Sequence, residues 1–158
     1  MNSTARLTVR SHYFEQMDLD PAAAFEFAGG LPGLERERLF APIEIPEQRP
    51  LLYLQSLNER SLCLITLPVR AIDRDYTLHL LPDQLDLLGI PRGRQPRIGE
   101  DLLCLAIVTA RGSGRLMANL LAPIVVNIRT RQALQAIQYD SPYDYRHPLP
   151  AAGMTAPC

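Results

Sequence analysis

Apolar side chains alternate with polar ones in four short stretches of the chain. These are residues 7–9, 25–27, 43–45 and 76–80, in which Leu, Val, Ile, Phe or Tyr occupies every second position. Because successive side chains of a β-strand point to opposite faces, this spacing is typical of strands that are buried on one face. The alternation therefore predicts four short strands.

Longer apolar runs occur in pairs that are joined by polar turns. Two apolar runs separated by a polar turn predict a β-hairpin. Two hairpins are expected, namely 51–57 with 62–67 across the turn 58–61, and 102–109 with 116–128 across the turn 111–115.

Helical signals are few. Pro82 suits the first position of a helix, and Gly89 followed by Pro91 supplies a stop, so a short helix is expected between them. Asp83 favours the positive end of that helix. In residues 132–138 polar side chains recur at every third position, which allows a helix without requiring one. Many short strands with frequent turns favour an all-β barrel or sandwich.

Length and composition are those of one folded domain. The chain has 158 residues, of which 47% are hydrophobic and 21% are charged, so disorder is not expected. We expect one domain over residues 1–149 and a mobile C-terminal tail over residues 150–158. The N-terminus lacks the apolar core of a secretory signal, and no apolar run approaches the ~20 residues that span a bilayer. A cytoplasmic protein without membrane attachment is predicted.

Charge is distributed unevenly along the chain. Residues 1–90 carry 8 Arg and 13 acidic residues, whereas residues 91–158 carry 8 Arg and 4 acidic residues. This asymmetry bears on which part of the surface would attract a charged partner, and says little about the fold.

The apolar segment 116–128 is the most informative part of the sequence. It contains no Ser, Cys, His, Asp or Glu that could act as a nucleophile, a base or a metal ligand. Its only polar side chains are the amides of Asn119 and Asn127. Such a segment indicates packing and the presentation of a surface, and it favours a binding protein over an enzyme.

Other kinds of site have weak support. The glycine-rich stretch 29–33 does not open a helix or carry the Lys-Ser/Thr pair of a phosphate-binding loop. Ser113 lacks the strand–turn–helix setting of a hydrolase nucleophile. The three histidines, with Cys63 and Cys104, fit no zinc-ligand spacing. We therefore expect no catalytic residue, no metal site and no cofactor.

Two other functions remain open from the residues. One is a cofactor-binding barrel of the flavin-type split-barrel kind, which would make the purified protein yellow. The other is a barrel that binds single-stranded RNA through arginines. The sequence places no aromatic side chain near the candidate arginines for base stacking, so direct nucleic-acid binding is not expected. These arginines are Arg92, Arg94, Arg97, Arg129 and Arg131.

Six motifs follow one another along residues 6–149. They are Phe-Ala-Gly-Gly-Leu-Pro-Gly-Leu at 27–34, Leu-Tyr-Leu-Gln-Ser-Leu at 52–57, the helix 83–89 after Asp75-Tyr76, Leu-Cys-Leu-Ala-Ile-Val-Thr at 103–109, Met-Ala-Asn-Leu-Leu-Ala-Pro-Ile-Val-Val-Asn at 117–127 and Tyr-Arg-His-Pro at 145–148. In this order they resemble the motifs of the FliW family, the bacterial flagellar assembly factors. The motif at 117–127 is the most specific of the six.

The resemblance implies a mainly β protein, a small antiparallel β-barrel of short strands with one or two short helices and no enzymatic activity. It favours a strand over a helix at 132–138. FliW-like proteins bind the translational repressor CsrA and relieve its block on flagellin messenger RNA, and they also bind flagellin, which competes for them. The resemblance thus implies a cytoplasmic regulatory protein with CsrA and flagellin as partners, and we expect it to be monomeric when free.

Residues that contact a partner are expected among the polar side chains that lie within or beside the apolar strands of these motifs. They are Gln55, Ser56, Asn58, Asn119, Arg129, Arg131, Tyr145 and Arg146. Asn127 could equally be a buried amide that bridges backbone groups.

Overall fold

A barrel of seven strands forms the centre of the computed structural model, which describes residues 5–112 and 114–150. The strands of the structure are β1 Leu7–Val9, β2 Met17–Leu19, β3 Phe25–Phe27, β4 Leu39–Ile43, β5 Leu52–Ser56, β6 Cys63–Pro68, β7 Leu102–Ala110, β8 Leu116–Asn127, β9 Gln132–Gln135 and β10 His147–Pro148. Its helices are α1 Val69–Ile72 and α2 Pro82–Leu88, with 3-10 turns at Pro21–Ala23 and Pro46–Gln48.

The barrel closes because both ends of its strand series meet on β9. Strands β3 to β8 pair in chain order, and β9 pairs with both β8 and β3. Every pairing is antiparallel except that of β3 with β9, which is parallel. Strand β10 pairs with the first half of β8, and β1 with β2 forms a separate two-stranded sheet. The mainly β barrel with short helices is confirmed.

Strand β7 separates two apolar cores. Leu103, Leu105 and Ile107 pack inside the barrel with Phe27 and Phe40. The alternate side chains of the same strand pack on the outer side, in a core that also holds residues of α2, β8 and the segment before α2. These outward members of β7 are Leu102, Cys104, Ala106 and Val108. A strand that is buried on both faces needs apolar residues at every position, which accounts for the continuous run 102–109.

The strand registers define two ends of the barrel. At one end, which we call the turn end, lie the β5–β6 turn, the β7–β8 connection and the loop 28–38 between β3 and β4. At the opposite end, which we call the helix end, lie α1, the β8–β9 turn 128–131 and the start of β7. Both hairpins expected from the apolar runs are confirmed.

The remaining predicted elements can also be compared with the structure. The strands at 7–9 and 25–27 and the helix before Gly89 are confirmed, and residues 132–135 form a strand, as the resemblance implied. The strand expected at 43–45 is wrong, because β4 ends at Ile43 and the chain then enters the 3-10 turn that begins at Pro46. Of the expected tail 150–158, only Pro150 belongs to the described residues, and Ser113 also lies outside them.

The predicted strand at 76–80 is absent, although its side chains alternate as expected. Tyr76, Leu78 and Leu80 are buried, whereas Thr77 and His79 are exposed. The N–H of Tyr76 donates to the carbonyl of Asp73, and the other backbone bonds of the segment go to side chains. None goes to a neighbouring strand, so the segment lies in no sheet. No helix in the described part of the chain is long and apolar enough to cross a membrane.

Candidate functional site

The eight residues expected to contact a partner fall into three groups on different parts of the barrel. Gln55, Ser56 and Asn58 form the turn-end group. Arg129 and Arg131 form the helix-end group in the β8–β9 turn. The barrel-side group consists of Asn119 in β8 with Tyr145 and Arg146, which precede β10. Because the turn end and the helix end face opposite ways, the eight residues do not form one continuous surface.

In the turn-end group, Ser56 organises the β5–β6 turn from inside. Its hydroxyl oxygen accepts hydrogen bonds from the backbone N–H groups of Asn58 (3.0 Å) and Glu59 (2.9 Å). The hydroxyl also donates to Oε2 of Glu37 at 3.2 Å, and Nδ2 of Asn58 donates to the same oxygen at 3.2 Å. Ser56 thereby fixes the position of Asn58, the one exposed member of this group.

Gln55 fastens the same turn to the N-terminal part of the chain. Its Nε2 donates to the carbonyl oxygens of Ser56 (3.2 Å), Glu59 (3.3 Å) and Arg60 (3.2 Å), and its Oε1 accepts from the hydroxyl of Ser11 at 2.6 Å. The side chains of Gln55 and Ser56 are 0% exposed. Neither reaches the surface, so in this structure both position the turn and do not themselves offer a contact.

The exposed rim of this turn carries an anionic carboxylate. The hydroxyl of Ser61 donates to Oε1 of Glu59 at 2.8 Å, and the backbone N–H of Ser61 donates to the same oxygen at 3.2 Å. These hydrogen bonds, with a smaller contribution from the charge of His12, lower the pKa of Glu59. The carboxylate therefore stays ionised at neutral pH.

In the barrel-side group, Asn119 closes an irregularity of β8. Leu105 and Ile107 of β7 pair with Ile124 and Asn119, so residues 120–123 lie opposite the single residue between them. Oδ1 of Asn119 accepts a hydrogen bond from the N–H of Ala122 at 3.0 Å and so stabilises this bulge.

The carbonyl groups of the bulge are bonded from outside β8. Gln135 Nε2 donates to the oxygen of Ala122 at 2.9 Å, and the N–H of Gln138 donates to the oxygen of Leu121 at 2.7 Å. The motif Asn-Leu-Leu-Ala-Pro at 119–123 therefore has a structural role, because it shapes β8 where the strand changes partner from β10 to β9.

Replacement of Asn119 should act through stability. Asn119→Ala removes the acceptor of the half-buried Ala122 N–H, and we expect the free energy of unfolding to fall by about 1 kcal/mol. Urea unfolding followed by circular dichroism measures the change. Asn58→Ala is the control, since Asn58 makes only one exposed side-chain bond, and it should change stability by less than about 0.5 kcal/mol. An Asn119→Ala protein as stable as the wild type would contradict the structural role.

Tyr145 and Arg146 supply the exposed part of the barrel-side group. The guanidinium carbon of Arg146 lies 4.9 Å from the centre of the Tyr145 ring, a cation–π arrangement. Tyr145 is 54% exposed. The backbone before β10 is held against the barrel, since the N–H of Leu120 donates to the carbonyl of Asp144 at 3.0 Å. An aromatic ring and an arginine thus protrude together from an anchored segment.

At the helix end, Asn127 holds the turn that carries both arginines. Its Nδ2 donates to the carbonyl of Leu88 at 2.7 Å, and its Oδ1 accepts from the N–H of Arg129 at 2.9 Å. Asn127 is buried, and it bridges backbone groups of α2 and the turn. Arg131 adopts a φ of 66°, and its N–H donates to the carbonyl of Asn127 at 2.8 Å.

An open cavity of about 710 Å³ adjoins this turn. Residues of the α2–β7 loop line one side of it, and Asn127 and Arg129 line the other. Arg94 of the lining forms an ion pair with Asp101 at 3.4 Å. Arg129 makes no ion pair within the described part of the chain, so its charge is available to an external group.

The thiol of Cys104 is expected to be unreactive. Burial raises its pKa to about 12, so the thiol stays protonated near neutral pH and is a poor nucleophile. Residues 5–112 and 114–150 contain no group of three or more His, Cys, Asp or Glu placed to hold a metal ion.

Several residues that organise these surfaces were missed by the sequence reasoning. Glu37 lies in the loop after β3 and reaches Ser56 and Asn58 across the turn end. Gln95 and Gln138 hold the segment 76–80. The sequence around a single polar residue in a loop does not indicate which distant groups it contacts. Of these residues only Gln138 could have been singled out from the sequence, because it is a glutamine next to two apolar residues.

Comparison with known proteins places the chain among flagellar proteins. A family model described as the FliW protein matches residues 8–149. The flagellar assembly factor FliW of Bacillus subtilis strain 168 is 28% identical over 144 residues, which cover 90% of this chain and 96% of that protein. The flagellar assembly factor FliW of Syntrophomonas wolfei is 31% identical over 137 residues, with coverage of 86% and 81%. A crystal structure of the flagellar assembly factor FliW shares the fold, with a TM-score of 0.77, 24% identity and coverage of 89% and 95%.

Proposed function

The chain belongs to the FliW family, and from this membership we propose that it is a non-enzymatic regulator of flagellar assembly that binds the translational repressor CsrA and flagellin. It acts in the cytoplasm as a monomer when free. Binding to CsrA relieves the repression of flagellin messenger RNA, and binding to flagellin withdraws the protein from CsrA.

Thermodynamic linkage constrains this mechanism. If the protein lowers the affinity of CsrA for RNA by some factor, RNA must lower the affinity of CsrA for the protein by the same factor. A flagellin that competes for the protein then returns CsrA to its RNA-binding state. The switch needs no catalysis, only two mutually exclusive complexes.

The barrel-side group is the best supported contact surface. Tyr and Arg are the residue types that most often dominate the energy of protein interfaces. Here Tyr145 and Arg146 protrude together, with the ring and the guanidinium already stacked, and Tyr139 nearby in sequence is 67% exposed. Part of the ordering cost of a contact is therefore met before binding. Asn119 supports this surface from within β8.

The other two groups are secondary candidates. Asn58 is fixed by Ser56 and Gln55 at the turn end, and Arg129 and Arg131 are fixed by Asn127 at the helix end. Two partners that bind one small barrel need either a shared surface or two separate ones. Groups at opposite ends of the barrel offer the second arrangement, in which the partners exclude each other only if binding at one end lowers the affinity of the other.

A gel-shift experiment tests the function. Purified CsrA is bound to the flagellin messenger RNA leader, and the protein is added in increasing amounts. We expect it to release the RNA without shifting RNA when CsrA is absent, and we expect added flagellin to restore the CsrA–RNA complex. No release of RNA at saturating protein would overturn the proposal. A shift of RNA without CsrA would instead indicate an RNA-binding barrel, and visible absorbance a flavin protein.

Variants identify the surface in the same experiment. Tyr145→Ala should weaken CsrA binding by about tenfold or more, as expected for an interface hot spot. Tyr13→Ala is the matched control, because Tyr13 is a similarly exposed tyrosine near the turn end. Asn58→Ala and Arg129→Ala test the other two groups. If Tyr145→Ala behaves like Tyr13→Ala, Tyr145 is removed from the site.

A further inference from the structure

The segment 76–80 has the geometry of a strand that is partnered by side chains. Its side chains alternate between buried and exposed, as in an extended chain. In such a chain the N–H and C=O groups of one residue point to one edge, and those of the next residue point to the opposite edge. One edge therefore carries Thr77 and His79, and the other, which we call the 78/80 edge, carries Leu78 and Leu80.

The edge of Thr77 and His79 is closed by the C-terminal part of the chain. The hydroxyl of Tyr143 accepts from the N–H of Thr77 at 2.7 Å. The amide of Gln138 accepts from the N–H of His79 at 2.8 Å and donates to the C=O of His79 at 3.1 Å. Gln138 is 4% exposed, so the backbone of His79 is bonded to a buried amide.

The 78/80 edge is held at one residue only. The amide of Gln95 accepts from the N–H of Leu80 at 2.9 Å and donates to the C=O of Leu80 at 3.1 Å. The amide thus imitates the pair of bonds that a residue of a neighbouring antiparallel strand would make. The backbone of Leu78 makes no hydrogen bond to any described residue. Gln95 itself is exposed.

The loop that carries Gln95 is fastened by exposed contacts. Arg92 pairs with Asp86 of α2, and Arg94 pairs with Asp101 at 3.4 Å. All four side chains are substantially solvent-accessible, and exposed ion pairs contribute little to stability. Displacement of the Gln95 amide therefore breaks its two part-buried bonds to Leu80 and no buried ion pair.

We propose that the 78/80 edge is a strand-addition site for CsrA, an inference that rests on the proposed function. An extended segment of three residues would displace the Gln95 amide and bond to the N–H and C=O groups of both Leu78 and Leu80. It would replace the two bonds that Gln95 makes and add two at Leu78. Tyr76, at the start of the segment, donates its hydroxyl proton to the carbonyl of Leu120 and so ties the segment to β8.

The charge around this edge fits a basic partner. The arginines of the neighbouring loop are already paired with Asp86, Glu100 and Asp101. The other charged residues that flank the segment in sequence are Arg74 and three acidic residues. The acidic residues are Asp73, Asp75 and Asp83, the last with only a 3.9 Å contact to Arg92. CsrA binds RNA and is expected to be basic.

Hydrogen exchange of the Leu78 amide tests the proposal directly. In the free protein we expect this amide to exchange fast, because it has no hydrogen-bond partner. With saturating purified CsrA we expect its exchange to slow at least about tenfold, as for a newly bonded amide. CsrA binding with no change at Leu78 would overturn the inference and leave the proposed function intact, whereas failure of CsrA to bind at all would overturn both. Protection by flagellin alone, or protection that depends only on protein concentration, would assign the edge to another occupant and overturn it.

A variant of the competing side chain supplies the second measurement. Gln95→Ala removes the internal partner of Leu80, so the edge no longer has to open before binding, and CsrA should bind about three- to tenfold more tightly. Gln16→Ala is the matched control, since Gln16 is exposed in the N-terminal hairpin and makes no hydrogen bond to a described residue. Calorimetric titration with CsrA measures both variants. Equal or weaker binding by Gln95→Ala would contradict the displacement of Gln95.

Discussion

Gln138→Ala is expected to lower the free energy of unfolding by about 3 kcal/mol, because it removes a buried amide that bonds to three backbone groups. The Gln138 amide bonds to both backbone groups of His79, and its Nε2 also donates to the carbonyl of Ala136 at 3.3 Å. It thereby joins the segment before α2 to the residues after β9. Guanidinium chloride unfolding followed by circular dichroism measures the loss.

The opposite edge of the same segment provides the control. Gln95 makes the same pair of bonds to Leu80, but it is exposed, and water can replace its amide. We expect Gln95→Ala to cost less than about 1 kcal/mol. If Gln95→Ala and Gln138→Ala cost the same, burial does not decide the strength of these amide contacts, and the distinction between a closed and an open edge fails.

These two glutamines show why the strand expected at 76–80 is missing. The alternation of Tyr76, Leu78 and Leu80 correctly predicts which side chains are buried. It carries no information about what bonds to the backbone, because that depends on residues 15 to 66 positions away. Side-chain periodicity therefore predicts the extended conformation and not the partner.

The barrel could likewise be predicted only in part from the sequence. The two hairpins follow from apolar runs that are adjacent in the chain, so their pairing is local. Closure depends on β9, which pairs with β3 across more than a hundred residues. The local pattern of 132–138 did not distinguish helix from strand, and the resemblance to the FliW family supplied the answer. The parallel sense of the β3–β9 pairing had no signal in the sequence.

The residues of the candidate site could also be predicted only in part from the sequence. Polar side chains inside apolar strands were expected to face a partner, and Tyr145 and Arg146 do lie at the surface. Gln55 and Ser56 occupy the same kind of sequence position but are buried, because the turn after β5 folds its carbonyl and N–H groups back onto them. A polar residue in an apolar run has either a binding role or a structural one. Its side-chain burial decides whether it can contact a partner or instead supports the fold.

The distinction between a residue that contacts a partner and one that supports the fold has its largest measurable consequence at Gln55. Gln55→Ala removes four hydrogen bonds of a fully buried side chain. We expect the free energy of unfolding to fall by about 3 kcal/mol, through the loss of these hydrogen bonds and the cavity that is left. We also expect faster hydrogen exchange at the N–H of His12, which bonds to Arg60 of the same turn at 3.0 Å. Chemical unfolding and exchange measurements give the two results.

Two further variants separate the causes. Gln55→Met keeps most of the volume and removes the amide, so a loss close to that of Gln55→Ala would assign the effect to the hydrogen bonds and not to the cavity. Gln132→Ala is the matched control, because Gln132 makes one exposed side-chain bond, to Glu26 at 3.0 Å, and it should cost less than about 0.5 kcal/mol. If Gln55→Ala weakened partner binding but left stability and the exchange of His12 unchanged, Gln55 would be a contact residue after all, and the turn would have to open to expose it.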